Sequence, residues 1–277
     1  MQQVTSKDGT SIAFDRAGQG PSLILVDGAL CRRQFGPMPA LAQKLSDRFS
    51  VITYDRRGRG DSGDTAPYSV EREVEDLRAV IEAAGGSAYV FGASSGGALA
   101  LEAVASGLPI TALAMFEPPF VAAEASSSEA DHLAHLKQLL AAGKRGAAVR
   151  YFLKDMVRAP GPMVAIMQLM FPIWSKLKAV AHTLPYDCTI LGNWAIPMQR
   201  AAQVKIPTLV AAGSKTDPRL RRAAKLLADA IPRAEHAELA GQNHNASADA
   251  VAPVLAKFFL RLGLERHDVA RPADRLG

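Results

Sequence analysis

The stretch Ala88-Tyr89-Val90-Phe91-Gly92-Ala93-Ser94-Ser95-Gly96-Gly97 decides the fold of this 277-residue chain. Its first four residues are apolar and predict a short buried strand, and the residues from Gly97 to Ala105 predict a helix. Ser94 stands between two glycines, which allow the sharp turn that must join the strand to the helix. The sequence therefore predicts a serine exposed at the carboxyl end of a strand.

Elsewhere in the chain, short aliphatic runs alternate with longer segments whose apolar residues recur at helical spacing. This alternation is typical of an α/β fold with a mostly parallel sheet and helices on both faces. Eight strands are predicted: Gln3 to Ser6, Ser11 to Arg16, Ser22 to Val26, Phe49 to Tyr54, Ala88 to Phe91, Thr111 to Phe116, Thr208 to Ala212 and Ala234 to Leu239. The Asp8-Gly9 pair predicts a hairpin turn between the first two strands.

The strand signal stops between residues 120 and 203, where the sequence becomes helical and rich in Met and Ala. Gly143, Pro160 and Pro172 interrupt this stretch. We therefore expect a helical cap over residues 120–203, inserted after the sixth strand into a core of residues 1–119 and 204–266. The last residues, 267–277, are predicted to be a frayed tail.

Length and composition indicate a globular chain that can bury one large core or two modest ones, because hydrophobic residues make up 48% of it. Apolar runs such as Met163 to Met167 are far shorter than the about 20 residues that cross a bilayer, so no membrane span is predicted. The first eight residues lack the pattern of a secretory signal, which makes a cytoplasmic location the expectation. Cys31 and Cys188 are expected to be reduced thiols.

Positive charge is concentrated in two arginine clusters, although the formal net charge is only +5. The clusters are Arg56, Arg57 and Arg59, and Arg219, Arg221 and Arg222. Neither has interleaved aromatic residues or matches a helix that reads DNA, so nucleic-acid binding is not expected. Both clusters are predicted to be solvated surface.

The segment around Ser94 has the pattern and the setting of a G-x-S-x-G nucleophile elbow. The start of the following helix and the backbone amide of Ser95 are then placed to stabilise a negatively charged oxygen. A frame shifted by one residue would make Ser95 the nucleophile, but Ser94 is at the centre of the two-glycine pattern. A glycine-rich turn without a catalytic role is the remaining alternative.

A serine hydroxyl needs a base within hydrogen-bond reach to act as a nucleophile, and His244 is the best candidate. It follows the last predicted strand and precedes a predicted helix from Ala248 to Leu262. A serine that precedes the histidine in the chain is the order this architecture uses. His132 and His135 lack a third ligand in the sequence, so no metal site is predicted.

Over residues 1–264 the chain resembles the α/β-hydrolase superfamily. The resemblance rests on the elbow, on Asp27-Gly28-Ala29 after the third strand, and on residues 55–62 after the fourth. This last stretch, Asp-Arg-Arg-Gly-Arg-Gly-Asp-Ser, is similar to the D-x-R-G-x-G-x-S loop of small esterases and lipases. The family usually has His-Gly where this chain has Asp27-Gly28. The resemblance implies that the backbone amide of Ala29 is the second donor of an oxyanion hole, beside that of Ser95.

The resemblance also implies an acidic residue that orients the histidine, placed after the sixth or the seventh strand. Glu117 follows the sixth strand and Asp217 follows the seventh. Asp217 fits a helix N-cap equally well, because a proline and a helical run come after it. Glu117 fits equally a buried anchor for the two prolines that follow it. Both residues therefore stay candidates for the acid.

These residues predict a serine hydrolase that cleaves a carboxylic ester or thioester of a small molecule through an acyl-enzyme on Ser94. No cofactor is expected for this chemistry, and both a monomer and a homodimer are compatible with it. Two other functions stay open: different chemistry of the same triad, such as carbon-carbon hydrolysis or perhydrolysis, and ligand binding without turnover.

Seven apolar residues of the cap are candidates for a roof that accepts a hydrophobic part of the substrate. They are Met156, Met163, Met167, Met170, Phe171, Trp174 and Leu177. Packing among the cap helices is the alternative role for each of them.

Overall fold

An eight-stranded sheet forms the centre of the fold in a computed structural model, which describes residues 1–122 and 132–269. The strands are β1 (Gln2–Thr5), β2 (Ser11–Ala17), β3 (Ser22–Val26), β4 (Ser50–Tyr54), β5 (Ala88–Ala93), β6 (Ile110–Phe116), β7 (Thr208–Gly213) and β8 (Ala234–Leu239). Their order across the sheet is β1-β2-β4-β3-β5-β6-β7-β8. β2 is antiparallel to both its neighbours, and the other adjacent strands are parallel. The predicted α/β fold with a mostly parallel sheet of eight strands is confirmed.

The observed strand ends lie within two residues of the predicted ones, and both ends of β3 and β8 coincide with the prediction. β5 continues to Ala93, two residues past the predicted end, because Gly92 and Ala93 pair with Met115 and Phe116 of β6. The predicted turn at Asp8-Gly9 joins β1 to β2, and Gly9 adopts the positive φ of 86° that such turns need.

Helices cover both faces of the sheet, as the alternating sequence pattern predicts. They are α1 (Met38–Leu45), α2 (Val70–Ala83), α3 (Ser95–Ala105), α10 (Pro218–Ala230) and α11 (Ala248–Val269). One face packs against α2, α3 and α10, with residues such as Leu77, Leu99 and Leu227 in its apolar core. The opposite face packs against α1 and α11, through residues such as Leu41 and Phe259.

Six further α-helices lie between β6 and β7 in the part of the chain that the structure describes. They are α4 (His132–Ala141), α5 (Arg145–Tyr151), α6 (Gly161–Leu169), α7 (Phe171–Ala179), α8 (Leu184–Leu191) and α9 (Met198–Gln203). We call α4 to α9 the helical segment. Most of a third apolar cluster lies in it, including Leu136, Val149 and Leu177, and Leu30 of the loop after β3 completes that cluster. This separate cluster supports the proposal that residues 120–203 form a cap, of which residues 123–131 lie outside the described residues.

The end of the chain differs from the expectation of a frayed tail. Helix α11 runs to Val269, so residues 267–269 are helical. The rest of that predicted tail lies outside the residues that the structure describes. Within residues 1–122 and 132–269, we find no helix that combines the length and the apolar character needed to cross a membrane.

The first arginine cluster is buried, so the prediction of solvated surface is wrong for it. Arg56, Arg57 and Arg59 are at most 1% exposed. Their guanidinium groups bind carboxylates that are distant in the sequence, among them those of Asp76 and Asp187. A charge cluster read along the chain cannot show such partners. The second cluster matches the expectation, because the side chains of Arg219 and Arg221 are 44% and 38% exposed.

Candidate active site

Ser94 lies at the junction of β5 and α3 in a strained backbone conformation. Its φ is 53° and its ψ is −128°, values that L-residues rarely adopt. The Ser94 amide donates to the carbonyl oxygen of Phe116 at 2.9 Å, and the Gly97 amide donates to the Ser94 carbonyl oxygen at 2.9 Å. These bonds hold the turn, and the Ser94 side chain lines a cavity at the carboxyl edge of the sheet. The geometry is that of the predicted nucleophile elbow.

Ser95 is the first residue of α3, so its backbone amide has no acceptor within the helix. Its side chain is directed elsewhere: the residue is 2% exposed, and its hydroxyl donates to Asp187 Oδ1 at 2.7 Å. A buried hydroxyl bound to a carboxylate is not available to a substrate. The shifted frame, with Ser95 as the nucleophile, therefore has no support in the structure.

The loop after β3 lies directly against Ser94. A Cβ atom added at Gly28 would lie 3.0 Å from the Cβ atom of Ser94 and 3.6 Å from its Oγ. Ala29 lines the same cavity as Ser94, and Leu30 has a positive φ of 62°. The amide of Ala29 is thus carried by a constrained loop beside the serine.

His244 and Glu117 are joined by a hydrogen bond of 2.6 Å between Nδ1 and Oε2. Because a carboxylate oxygen accepts, Nδ1 is the donor, and Nε2 of the neutral imidazole then keeps its lone pair. The imidazole is 33% exposed and lines the cavity that Ser94 also lines, whereas the Glu117 side chain is fully buried. This arrangement supplies an oriented base at the cavity.

Two groups missed in the sequence hold the second oxygen of Glu117. Its Oε1 accepts from the Gly213 amide at 2.7 Å and from Thr216 Oγ1 at 2.5 Å. Glu117 itself has a positive φ of 47°. The end of β7 and the loop after it thus contribute hydrogen-bond donors rather than the acid. The signal for Thr216 in the sequence was its position next to Asp217, the candidate acid after β7.

Asp217, the other candidate acid, is not bound to His244. It is the N-cap of α10, and its side chain accepts from the Arg219 amide at 2.9 Å. It also forms an ion pair of 2.7 Å with the Arg219 guanidinium, which holds the pKa of Asp217 below its ordinary value. Asp217 thus has the helix-cap role that its sequence also fitted, and the carboxylate hydrogen-bonded to His244 is that of Glu117.

The cavity beside Ser94 and His244 has a volume of about 470 Å³ and a mostly apolar wall. Phe35, Met38, Phe91, Phe116 and Phe152 are among the side chains that line it. Concave apolar sites of this size are typical of small-molecule binding.

The expected roof over this cavity is only partly correct. Met167 and Leu177 line the cavity. Met163, Met170 and Phe171 are instead 42%, 46% and 75% exposed. Met156 and Trp174 pack against the apolar cluster of the helical segment. Two of the seven therefore line the cavity, two have the alternative role of packing within the helical segment, and three are exposed, because a list of apolar residues cannot show which side of a helix meets the cavity.

Asp27 is a buried carboxyl group beneath the loop that carries Ala29. The residue is 2% exposed, and within the described ranges its Oδ1 atom has no hydrogen-bond partner. Burial raises the pKa of Asp27 well above its ordinary value, although Arg59 and Arg56 act in the opposite direction. Burial likewise raises the pKa of Cys31, and Asp27 adds to this shift. Both groups therefore favour their uncharged forms.

The family model and the solved structures that match this chain point to the same family. A family model described as "Alpha/beta hydrolase family" matches residues 28–254. A solved structure of an alpha/beta hydrolase from Sphaerobacter thermophilus DSM 20745 is 51% identical, with a TM-score of 0.86 over 93% of this chain and 100% of that one. A thermophilic esterase from Thermogutta terrifontis has a TM-score of 0.69 over 94% and 98% of the two chains, but is 18% identical and shows likeness of fold alone.

A curated relative, the uncharacterized hydrolase YraK of Bacillus subtilis (strain 168), is 33% identical over 98 residues. The match covers 34% of this chain and 35% of the relative. The chain thus aligns with about a third of that relative's length.

The buried carboxyl group at Asp27 predicts a pH-dependent stability. An unfolded Asp has a pKa of about 3.9, so between that value and its raised pKa the folded chain holds a proton that the unfolded chain has lost. The free energy of unfolding must then fall as the pH rises through this window. Asp27→Asn removes the titrating group, so this variant should lose less stability than the wild type as the pH rises above about 4.

Urea denaturation at a series of pH values measures the difference. Asp47→Asn, on an exposed loop, controls for the loss of a carboxylate. Equal pH slopes for the wild type and Asp27→Asn would contradict the assignment.

Proposed function

The chain belongs to the alpha/beta hydrolase family, and we propose that it is a serine hydrolase that cleaves a carboxylic ester or thioester through an acyl-enzyme on Ser94. The observation that carries this proposal is the hydrogen bond from His244 to the buried carboxylate of Glu117, at a cavity that Ser94 also lines. A serine, an imidazole and a carboxylate in these settings form the constellation of acyl transfer.

The proposed reaction has two halves. In the first, His244 Nε2 takes the Ser94 proton while the hydroxyl oxygen attacks the substrate carbonyl, and the amides of Ala29 and Ser95 bind the resulting oxyanion. The proton on His244 then passes to the leaving alcohol or thiol, and an acyl-enzyme remains. In the second half, His244 takes a proton from water as the water oxygen attacks the acyl carbonyl. The proton then passes to Ser94 Oγ as the acid is released, which restores the free serine. Glu117 keeps the imidazole in its working tautomer throughout.

The cavity supports a small substrate with a hydrophobic group. Its wall combines side chains from the core, such as Phe91 and Phe116, with Met167 and Leu177 from the helical segment. An alkyl or aryl group that enters it leaves water for apolar contact, and each buried methylene contributes about 0.8 kcal/mol. The polar groups of the site then have to position only the carbonyl of the substrate.

Ser94→Ala should abolish ester hydrolysis and labelling by a fluorophosphonate probe, because the variant has no oxygen nucleophile. The assay is turnover of p-nitrophenyl esters, together with mass-spectrometric mapping of the labelled residue. Ser95→Ala is the control for the labelling experiment. It removes the neighbouring hydroxyl but keeps Ser94, the proposed nucleophile, and should still be labelled there. A Ser94→Ala variant that still turns over esters would overturn the proposal.

Replacing the two acids by their amides should separate them. Glu117→Gln should lower kcat by about two to four orders of magnitude, because the amide no longer favours the working tautomer of His244. Asp217→Asn removes an exposed ion pair and should change kcat by less than about twofold. Steady-state kinetics of both variants on one ester measure the contrast, and a large loss in Asp217→Asn with full activity in Glu117→Gln would reverse the assignment.

Activity should rise with the acyl chain length until the cavity is filled. A methylene worth about 0.8 kcal/mol corresponds to a gain of up to about fourfold in kcat/KM. Met167→Ser should reduce this gain, because Met167 lines the cavity. Ile166→Ser is the matched control on the same helix, since its side chain is 59% exposed and should leave the gain unchanged. A series of p-nitrophenyl esters from acetate to octanoate provides the measurement, and a flat series would exclude a hydrophobic acyl site.

The two alternative functions have distinct outcomes in the same assays. A carbon-carbon hydrolase or a perhydrolase would label at Ser94 but prefer vinylogous diketones, or peroxide as acceptor, over simple esters. A receptor without turnover would bind ligand with no burst and no label. Fluorophosphonate labelling followed by a substrate panel therefore separates all three.

A further inference from the structure

A buried carboxylate of the helical segment, Asp187 in α8, joins the two loops that carry the proposed oxyanion donors. The side chain is 2% exposed. Its Oδ1 accepts from Ser95 Oγ at 2.7 Å, from Arg56 Nη1 at 2.9 Å and from Arg59 Nη2 at 2.9 Å, and its Oδ2 lies 2.8 Å from the same Arg59 nitrogen. One carboxylate thus binds the elbow and both guanidinium groups.

The first connection runs to the proposed donor at Ser95. The hydroxyl of this residue gives its single proton to Asp187, so the residue whose amide is the proposed donor is fixed by its own side chain. Arg56 Nη1 approaches the same hydroxyl oxygen at 3.4 Å and also donates to the Asp27 carbonyl oxygen at 3.1 Å. The guanidinium of Arg56, which Asp187 binds, therefore links the start of α3 to the end of β3.

The second connection runs through Arg59 to the loop that carries Ala29. Arg59 Nη1 donates to the carbonyl oxygens of Gly28 at 2.6 Å and Cys31 at 3.4 Å. These two carbonyls bracket Ala29 and Leu30, and Leu30 is held at a positive φ. A guanidinium that is itself fixed by a carboxylate thus holds both ends of the short loop.

The charge of Asp187 is what permits two arginines to lie buried side by side. Burial raises the pKa of Asp187, but Arg59, Arg56 and the hydrogen bond from Ser95 outweigh it, so the pKa lies below its ordinary value. Arg56 has a second carboxylate partner in Glu73, at 2.5 Å from its Nε. Without the Asp187 charge, the guanidinium of Arg59 would lose its ion pair and repel that of Arg56 in a medium that screens poorly.

We propose that Asp187 is a positioning residue for the oxyanion hole, which acts through Ser95 and Arg59 to hold the amides of Ser95 and Ala29 at their working separation. The inference rests on the proposed function. It gives the helical segment a part in stabilising the transition state, in addition to its part in enclosing the substrate. The position of an oxyanion donor matters because the loss of one costs about 10²–10³ in kcat.

The experiment measures two things for the wild type and each variant: the rate of Ser94 phosphonylation by a fluorophosphonate, and kcat and KM on one ester. The fluorophosphonate is informative because its P=O oxygen must enter the oxyanion hole. Asp187→Asn should slow both labelling and kcat by at least about tenfold and change KM by less than about threefold, because the oxyanion forms only after binding. Ser95→Ala should give a smaller loss, and the double variant should lose no more than Asp187→Asn alone. Rates are expressed per folded active site after titration, so that a smaller folded fraction does not count as slower chemistry.

The matched control is Asp76→Asn. The Asp76 carboxylate is equally buried and binds Arg57, in the same loop as Arg56 and Arg59, by two hydrogen bonds of 2.7 Å. Arg57 contacts neither Ser95 nor the loop after β3 through any hydrogen bond between described residues. This variant should lose stability and keep its labelling rate within about twofold.

Three results would overturn the inference. Labelling of Asp187→Asn at the wild-type rate would show that the amides hold their positions without it. An equal loss in Asp76→Asn would show that the rate follows the general rigidity of the loop. A wild type that does not label at Ser94 would overturn the proposed function and this inference with it, whereas in the first two results the proposed function stands.

Discussion

Direct packing of main chain on main chain around Ser94 is the constraint on which the rest of the site depends. A Cβ atom at Gly92 would lie 2.6 Å from the Gly97 Cα atom, and one at Gly96 would lie 2.6 Å from the Asp27 carbonyl oxygen. Helix α3 therefore approaches β5 and the end of β3 with no side chain between them. The strained φ and ψ of Ser94 cost roughly 1–3 kcal/mol, and this close packing leaves the residue no other conformation.

Once the elbow is fixed, the parallel strands bring the other groups to the same edge. Glu117 follows β6, whose last residue accepts the Ser94 amide, and His244 follows β8. Gly213, the last residue of β7, and Thr216, in the loop after it, hold the carboxylate oxygen that is not bound to the histidine. Because the carboxyl ends of parallel strands meet at one edge, residues more than 100 positions apart meet in one site. Topology thus assembles the site, and hydrogen bonds set its final geometry.

The sequence predicted the parts of this arrangement that local patterns specify. The sheet follows from the alternation of apolar runs and helical spacing, and the elbow follows from glycines that the turn requires. The arginines were misread because their partners, such as Asp187, are distant in the sequence and join them only in the fold. Leaving one such buried charge without its partner costs about 3–5 kcal/mol, so these arginines can be buried only where the folded chain supplies their carboxylates. No local sequence pattern shows those partners.

The two candidate acids show the same difference between what local sequence patterns specify and what only the tertiary structure provides. Asp217 satisfied a local rule, the cap of a helix that begins with proline, and it forms that cap with the Arg219 amide. Glu117 also had a local alternative, a buried anchor for the two prolines that follow it, but that role gives its carboxylate no partner in its own segment. A fully buried carboxylate must find partners elsewhere, and Glu117 finds them in His244, Gly213 and Thr216. A polar residue that local structure leaves unsatisfied is thus the better candidate for a role in the site than one whose neighbours already explain it.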